Sequence, residues 1–365
     1  DALPDLSLSR PTLKRVQSLS LLDNAVCRKT MEAFYTFMAT QSGNKFIESL
    51  VHEAHLSFTA ADLGGKLNFL LFETQHLEKV MALMGTHRLN RVILTLGCTG
   101  GGSFKYEEKL RNDLNIDIVS IDEMESLVRG LEFAISNVIG ECYTYKPTTW
   151  PALSSQTPGG EKDWNLKVDL DGMTSAEFPF LLVSIGSGVS IIRVDGPGRF
   201  ERVSGSSIGG GTFFGLARLI SGCSSFDELL ALAERGNHEE CDMLVGDIYG
   251  RQYGKVGLSS SVVASSFGKL MNCDTPMEST LPEDRVRALL MMVTNNIGQV
   301  AYLNALQQKT SHIYFIGNFL RRNQISCQRL SYAIDYWSGT KMEALFLRHE
   351  GYFGAMGAFM LSADR

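Results

Sequence analysis

At 365 residues the chain exceeds what one hydrophobic core usually holds, so two lobes are expected. Its 44% hydrophobic and 20% charged content is that of a globular protein with a sizeable interior, and a net charge of −6 excludes a general nucleic-acid binder. No run of about 18 apolar residues offers a membrane span, and Asp1 and Asp5 stand where a secretory leader would be basic.

Residues 1–45 read as partly irregular, with a short helix over Lys29 to Ala39. His52-Glu53-Ala54-His55 imitates a zinc helix, but the histidines are spaced i, i+3 and no ligand cluster follows. Both are expected at the surface, and no metal site is assigned. Asp62-Leu63-Gly64-Gly65-Lys66 reads as a turn with no strand-like run before it, leading into a strand over Leu67 to Phe72. Leu77, Val80, Met81 and Met84 recur at helical spacing. Arg91 to Leu96 is a buried-strand candidate, followed by the glycine cluster Thr99 to Gly102 and a helix from Ser103 to Arg111. A strand over Ile116 to Ile121 ends at Asp122-Glu123, where the amphipathic helix Met124 to Val138 begins. On the residues alone, two acids at a helix start are cap and dipole partners. Cys142 to Phe180, with four prolines and Gly159-Gly160, reads as a long surface connection.

Val183 to Ile185 and Val189 to Val194 make a hairpin about Gly186-Ser187-Gly188, and Phe200 to Val203 is a third strand. The Gly-rich turn Gly205 to Thr212 then opens a helix over Phe213 to Ile220. Such a turn offers backbone N–H groups and a helix dipole to an anion. Neither loop fits a Walker or dinucleotide fingerprint, yet three strand-to-glycine junctions point to a phosphorylated ligand. Ser225 or Ser224 caps a helix to Arg235, and Cys241 to Tyr249 reads as another. The longest helical pattern, Glu283 to Gln307, has Val286, Leu289, Leu290, Val293 and Ile297 on one face, as a buried core helix would. Asn295 and Asn296 inside it lower helix propensity and suggest a packing or ligand reason. A strand over Ile313 to Ile316, a turn at Gly317-Asn318, a helix from Ile325 to Trp337, a strand over Ala344 to Leu347 and a small-residue helix from Gly351 to Leu361 complete an α/β alternation. Seven cysteines without a C-x-x-C fit reduced thiols in an intracellular compartment.

The segments TGGGSFKY (99–106), IDEMESLVRG (121–130), 183–215, DIYG (247–250), ASSFGK (264–269), TNNIG (294–298), IGNFLR (316–321) and YAIDYWSGTKMEALFLRHEGYFGAMGAF (332–359) resemble eukaryotic-type (type II) pantothenate kinase. The likeness runs in order from about Leu67 onward. It implies an actin-like ATPase fold, with a truncated N-terminal lobe over 1–100 completed by the C-terminal helix 351–365. A second lobe, 101–350, would carry substrate, nucleotide and dimer contacts. It further implies ATP-dependent, Mg2+-assisted phosphorylation of pantothenate to 4′-phosphopantothenate, restraint by acetyl-CoA or another acyl-CoA, a homodimer and a cytoplasmic location. Glu123 matches the family's catalytic carboxylate, and Ser187, Ser190, Arg202, Ala264 and Ala333 match substrate contacts. Of these, Ala333, with Tyr336 and Trp337, would reach the partner subunit's site. Gly100, Gly101, Gly186, Gly188, Gly209, Gly210, Gly211 and Thr212 match the nucleotide-phosphate loops, and the resemblance implies that Gly317 and Asn318 would lie under adenosine. The Asp-x-Gly-Gly-[ST] turn that the resemblance places ahead of this region is not found in the sequence. Either the chain is a fragment, which its non-Met first residue favours, or it is a form that lost the loop. The alternative to a kinase is then a regulatory relative that binds acyl-CoA or a partner subunit.

Overall fold

The computed structural model describes residues 24–38, 50–73, 76–148, 164–173, 175–250 and 259–363. The readings for residues 1–23 and for the Pro-rich stretch 149–163 lie outside the described residues. The chain divides into two compact units, Asp1–Val138 with Tyr352–Arg365, and Ile139–Gly351. The division expected near residue 100 therefore falls inside the first unit. The reason is a long-range pairing: strands Thr95–Thr99 and Asp117–Ile121 run parallel, with Thr99 opposite Ile121, and tie the segment beyond 100 to what precedes it.

In the first unit the helix Glu123–Asn137 packs along the helix Phe353–Ala363. The approach is close enough to need glycine on both partners. A Cβ on Gly130 would lie 2.0 Å from the Phe353 carbonyl oxygen, and one on Gly357 would lie 1.8 Å from that of Ser126. Phe58–Ala60 and Gly65–Leu67 form an antiparallel hairpin. The turn at Asp62 to Gly65 is thus a hairpin turn, but a strand does precede it. His55 is exposed, whereas His52 lies tilted against Tyr35, ring centres 5.3 Å apart, and buries its Nε2, so only one of the two is the expected surface residue.

The second unit is built on a seven-stranded mixed sheet. Its strands lie in the order Arg199–Ser206, Val189–Gly196, Phe180–Ile185, His312–Ile316, Glu343–Leu347, Cys142–Lys146 and Leu166–Asp169. Phe180–Ile185, His312–Ile316 and Glu343–Leu347 run parallel, and the remaining pairings are antiparallel. Continuous apolar runs suit central strands covered on both faces, and Phe180 to Val183 are fully buried. The helix Pro282–Gln308 lays Val286, Leu289, Leu290, Val293 and Ile297 into the same core as Val183, Ile191 and Phe315. Its apolar row is therefore accounted for inside this unit.

Two elements differ from expectation. Cys142–Lys146 is a strand rather than surface connection: Thr144 Oγ1 donates to the Ala344 carbonyl at 2.8 Å. The prolines begin only at Pro147, leaving the aromatic and β-branched run ahead of them free to pair. The helix expected over Cys241 to Tyr249 is confined to Val245–Tyr249, because Met243–Leu244 pairs with Val263–Ser265.

Ser225, not Ser224, caps the helix Phe226–Arg235 by accepting the Glu228 N–H at 3.2 Å, while Glu228 Oε2 accepts from the Ser224 and Ser225 amides. Ser225→Ala is expected to cost about 1 kcal/mol in chemical denaturation. An unchanged midpoint would show the cap to be redundant. No described helix is long and apolar enough to cross a membrane.

Candidate active site

In an open α/β sheet, ligands bind outside the carboxyl ends of parallel strands. In the second unit two such ends run straight into Gly186 and Gly317, and the third, at Leu347, is followed three residues on by Glu350. The turn after the first closes when the Gly186 N–H donates to the Gly188 carbonyl at 2.9 Å. The Gly-rich turn then packs on it. The N–H groups of Gly210 and Gly211 donate to Gly186 O at 2.9 Å and Ser187 O at 3.0 Å. These two amides are engaged within the protein, so glycine here serves close approach: a Cβ on Gly209 would sit 2.8 Å from Ser187 O. Thr212 Oγ1 accepts from the Gly209 N–H at 3.3 Å and donates to Ser207 O at 3.0 Å, closing the start of the helix Gly210–Ser221.

Gly317 joins this cluster. Its φ of 118° lies where residues with a Cβ are strained, and a Cβ there would meet Ile185 O at 2.1 Å. Phe319, two residues on, lies 3.4 Å from where a Cβ on Gly210 would be. The unit thus brings together Gly186, Ser187, Gly188, Gly209, Gly210, Gly211, Thr212, Gly317 and Asn318.

Arg202 and Ser190 come from neighbouring antiparallel strands beside this cluster. A register shift between Ile191 and Ile192 sets Arg202 opposite Ile192 while Ser190 stays opposite Gly205. Bulges of this kind re-aim side chains. Arg202 Nε lies 3.5 Å from Ser190 Oγ, and the guanidinium covers Gly205. An exposed arginine over a hydroxyl and a bare glycine can take the oxygens of an anion in pairs.

One residue here escaped sequence reasoning. Glu350 Oε1 accepts the N–H of Gly317 at 2.5 Å and of Gly351 at 2.8 Å. Burial pushes its carboxyl up to about 7, against the pull of these two donors, with Glu141 adding to the rise and Arg321 opposing it. The signal available in the sequence was only an acid flanking a glycine after a strand.

Ala264 and Ala333 lie elsewhere in the unit. They line a cavity of about 830 Å³ together with Asn295, Asn296, Arg329 and Trp337; Ser187, Ser190 and Arg202 do not line it. Arg329 Nε donates to Asn295 Oδ1, which gives one of the two helix-interior asparagines a partner.

In the first unit the same strand-end logic applies to Thr95–Thr99 and Asp117–Ile121. Gly100 and Gly101 leave one strand and Asp122-Glu123 the other. Asp122 Oδ1 accepts the N–H groups of Met124 and Glu125, both at 2.9 Å, and so serves as the cap. Glu123 is exposed, with Oε2 3.9 Å from where a Cβ on Gly100 would be. Among the described residues no group of three or more His, Cys, Asp or Glu could hold a metal ion by itself. Magnesium commonly asks for only one or two carboxylates, the rest coming from substrate phosphates and water.

The Fumble family model matches residues 26–361. Pantothenate kinase 1 of Arabidopsis thaliana is 44% identical over 313 residues, which cover 82% of this chain and 77% of that protein. Pantothenate kinase 2 of Oryza sativa subsp. japonica is 42% identical over 313 residues, 82% of this chain but 33% of its own length. The chain therefore spans about a third of that relative. The 4′-phosphopantetheine phosphatase of Mus musculus is 38% identical over 304 residues, covering 83% of this chain and 35% of that protein. Among solved structures, glucokinase of Balamuthia mandrillaris aligns with a TM-score of 0.38 and 10% identity, over 93% of this chain and 99% of that one.

Proposed function

The chain belongs to the Fumble family, and on that footing we propose that it has the actin-like fold expected from its sequence and transfers the γ-phosphoryl group of ATP to pantothenate. The product would be 4′-phosphopantothenate, in the first step toward coenzyme A. The observation that carries this reading is the cluster at three carboxyl strand ends, where the Gly186 to Gly188 turn, the Gly209 to Thr212 turn and the Arg202–Ser190 pair meet.

Each side chain has a distinct task in that reaction. Arg202 binds the transferring phosphoryl oxygens with the paired donors of its planar fork. The hydroxyls of Ser187 and Ser190 hold the polar groups of pantothenate. Glu123 takes or orients the proton of the attacking hydroxyl, which is the main task left once nucleophile and phosphorus are aligned. Gly100 and Gly101 leave room for phosphate beside it. Magnesium would arrive with ATP and screen the charge of its phosphates, its ligands coming chiefly from phosphate oxygens and water. The reading extends to a cytoplasmic homodimer restrained by acetyl-CoA or another acyl-CoA. The homodimer part of it is supported by Ala333, Tyr336 and Trp337 lining a cavity that Arg202 does not line, as residues reaching a partner subunit's site would.

ATP-dependent labelling of pantothenate tests the proposal. Incorporation is expected, with kcat/KM lowered about 10- to 100-fold by Arg202→Lys, which keeps the charge and loses the fork. Full activity in Arg202→Lys would remove the arginine from the reaction. A second reading is a regulatory relative that binds acyl-CoA without turnover, since a 38% identical relative, the 4′-phosphopantetheine phosphatase of Mus musculus, is named for a different activity. Calorimetric binding of acetyl-CoA together with no labelling would select it.

A further inference from the structure

We propose that Glu350 is a positioning residue, which holds the Gly317–Asn318 turn in the shape that receives the adenosine end of the nucleotide. The inference rests on the reading above that this turn contacts nucleotide. His312–Ile316 and Glu343–Leu347 are neighbouring parallel strands whose register runs His312 to Glu343, Ile313 to Ala344 and Tyr314 to Leu345. Beyond that register the two strands no longer pair with each other: one stays in the sheet through Ile316 on Phe180–Ile185 and the other through Leu347 on Cys142–Lys146. One carboxylate oxygen takes over, accepting from Gly317 and Gly351 at 2.5 and 2.8 Å. The two strand ends are in effect stitched by a side chain.

The stitch matters because of what Gly317 is. Its backbone conformation is open to glycine, which can leave it as readily as adopt it. On one side Ile185 O crowds it, and on the other Glu350 holds its N–H. Take the carboxylate away and the amide loses its acceptor while the glycine regains its freedom. Asn318 follows, because its Oδ1 lies 2.8 Å from where a Cβ on Gly351 would be. The same oxygen that fixes Gly317 fixes Gly351, and so sets the bed on which the Asn318 amide lies. A nucleotide would read Glu350 only through this turn.

Amide hydrogen exchange and ATP calorimetry on Glu350→Ala and Glu350→Gln test the idea. In Glu350→Ala, exchange at Gly317 and Gly351 is expected to quicken and the ATP Kd to rise, each about tenfold, with the pantothenate Kd unchanged. Gln, whose carbonyl can accept the same two bonds, is expected to restore both to within about threefold. If Ala does not fold, Glu350→Asp serves: it keeps the charge, falls short of the amides and should show the Ala pattern. Unchanged exchange in Ala, equal losses for ATP and pantothenate, or Gln as impaired as Ala would overturn the proposal. Asn318→Ala tells the two readings apart. If it weakens ATP while Glu350→Ala does not, only the role of Glu350 fails. If neither variant affects ATP, or the parent chain binds none, the nucleotide reading of the turn fails and takes this one with it.

Discussion

Glu123→Gln is expected to lower turnover of pantothenate about 10²- to 10⁴-fold while leaving ATP affinity and folding essentially unchanged. The separation of effects follows from a division of labour at one helix start. Asp122 accepts from both the Met124 and Glu125 amides, so the helix end is satisfied without its neighbour. Glu123 is exposed, and a glutamine there keeps the shape but cannot accept a proton. Surface changes away from caps and cores usually stay within about 0.5 kcal/mol. Steady-state kinetics with parallel denaturation curves check both halves. Turnover equal to the parent protein would remove Glu123 from the chemistry, and a large loss of stability would make it structural.

Gly357→Ala is expected to destabilise the first unit by about 3 kcal/mol or more, among the largest effects of a single methyl group in this chain. The added carbon would lie 1.8 Å from Ser126 O and 2.5 Å from Ser126 C, which are backbone atoms that cannot swing aside. Relief requires the helices Glu123–Asn137 and Phe353–Ala363 to part, opening a close-packed contact along their length. Gly354→Ala is the control. Its new carbon would meet the Thr99 methyl at 3.3 Å and Leu127 Cδ2 at 3.9 Å, side-chain atoms that can adjust, so a loss under about 1 kcal/mol is expected. Denaturant titration of both variants decides: equal midpoints would mean that the two helices yield more easily than their spacing implies.

What could be read from the sequence is what nearest neighbours along the chain dictate. The hairpin about Gly186 to Gly188 announced itself by alternation and glycine. A cap could be expected at Asp122-Glu123 because capping depends on residues two and three positions ahead. What could not be read depends on partners far away in sequence. Cys142–Lys146 became a strand because Glu343–Leu347 offers it an edge some 200 positions on. The unit boundary moved because Thr95–Thr99 pairs forward with Asp117–Ile121. The amides of Gly210 and Gly211 looked free for an anion, but the carbonyls that engage them belong to a separate loop. Glu350 was invisible for the same reason, since its two donors meet only after the sheet has set its strand order.

The first unit is discontinuous: its closing helix, Phe353–Ala363, follows the whole of the second unit in the chain. During translation, residues 139–351 can therefore complete their own sheet while the earlier segment still lacks the helix that covers Glu123–Asn137. At ribosomal speeds of about 5–20 residues per second that delay is roughly 10–40 s, long enough for a sticky nascent intermediate to need a chaperone.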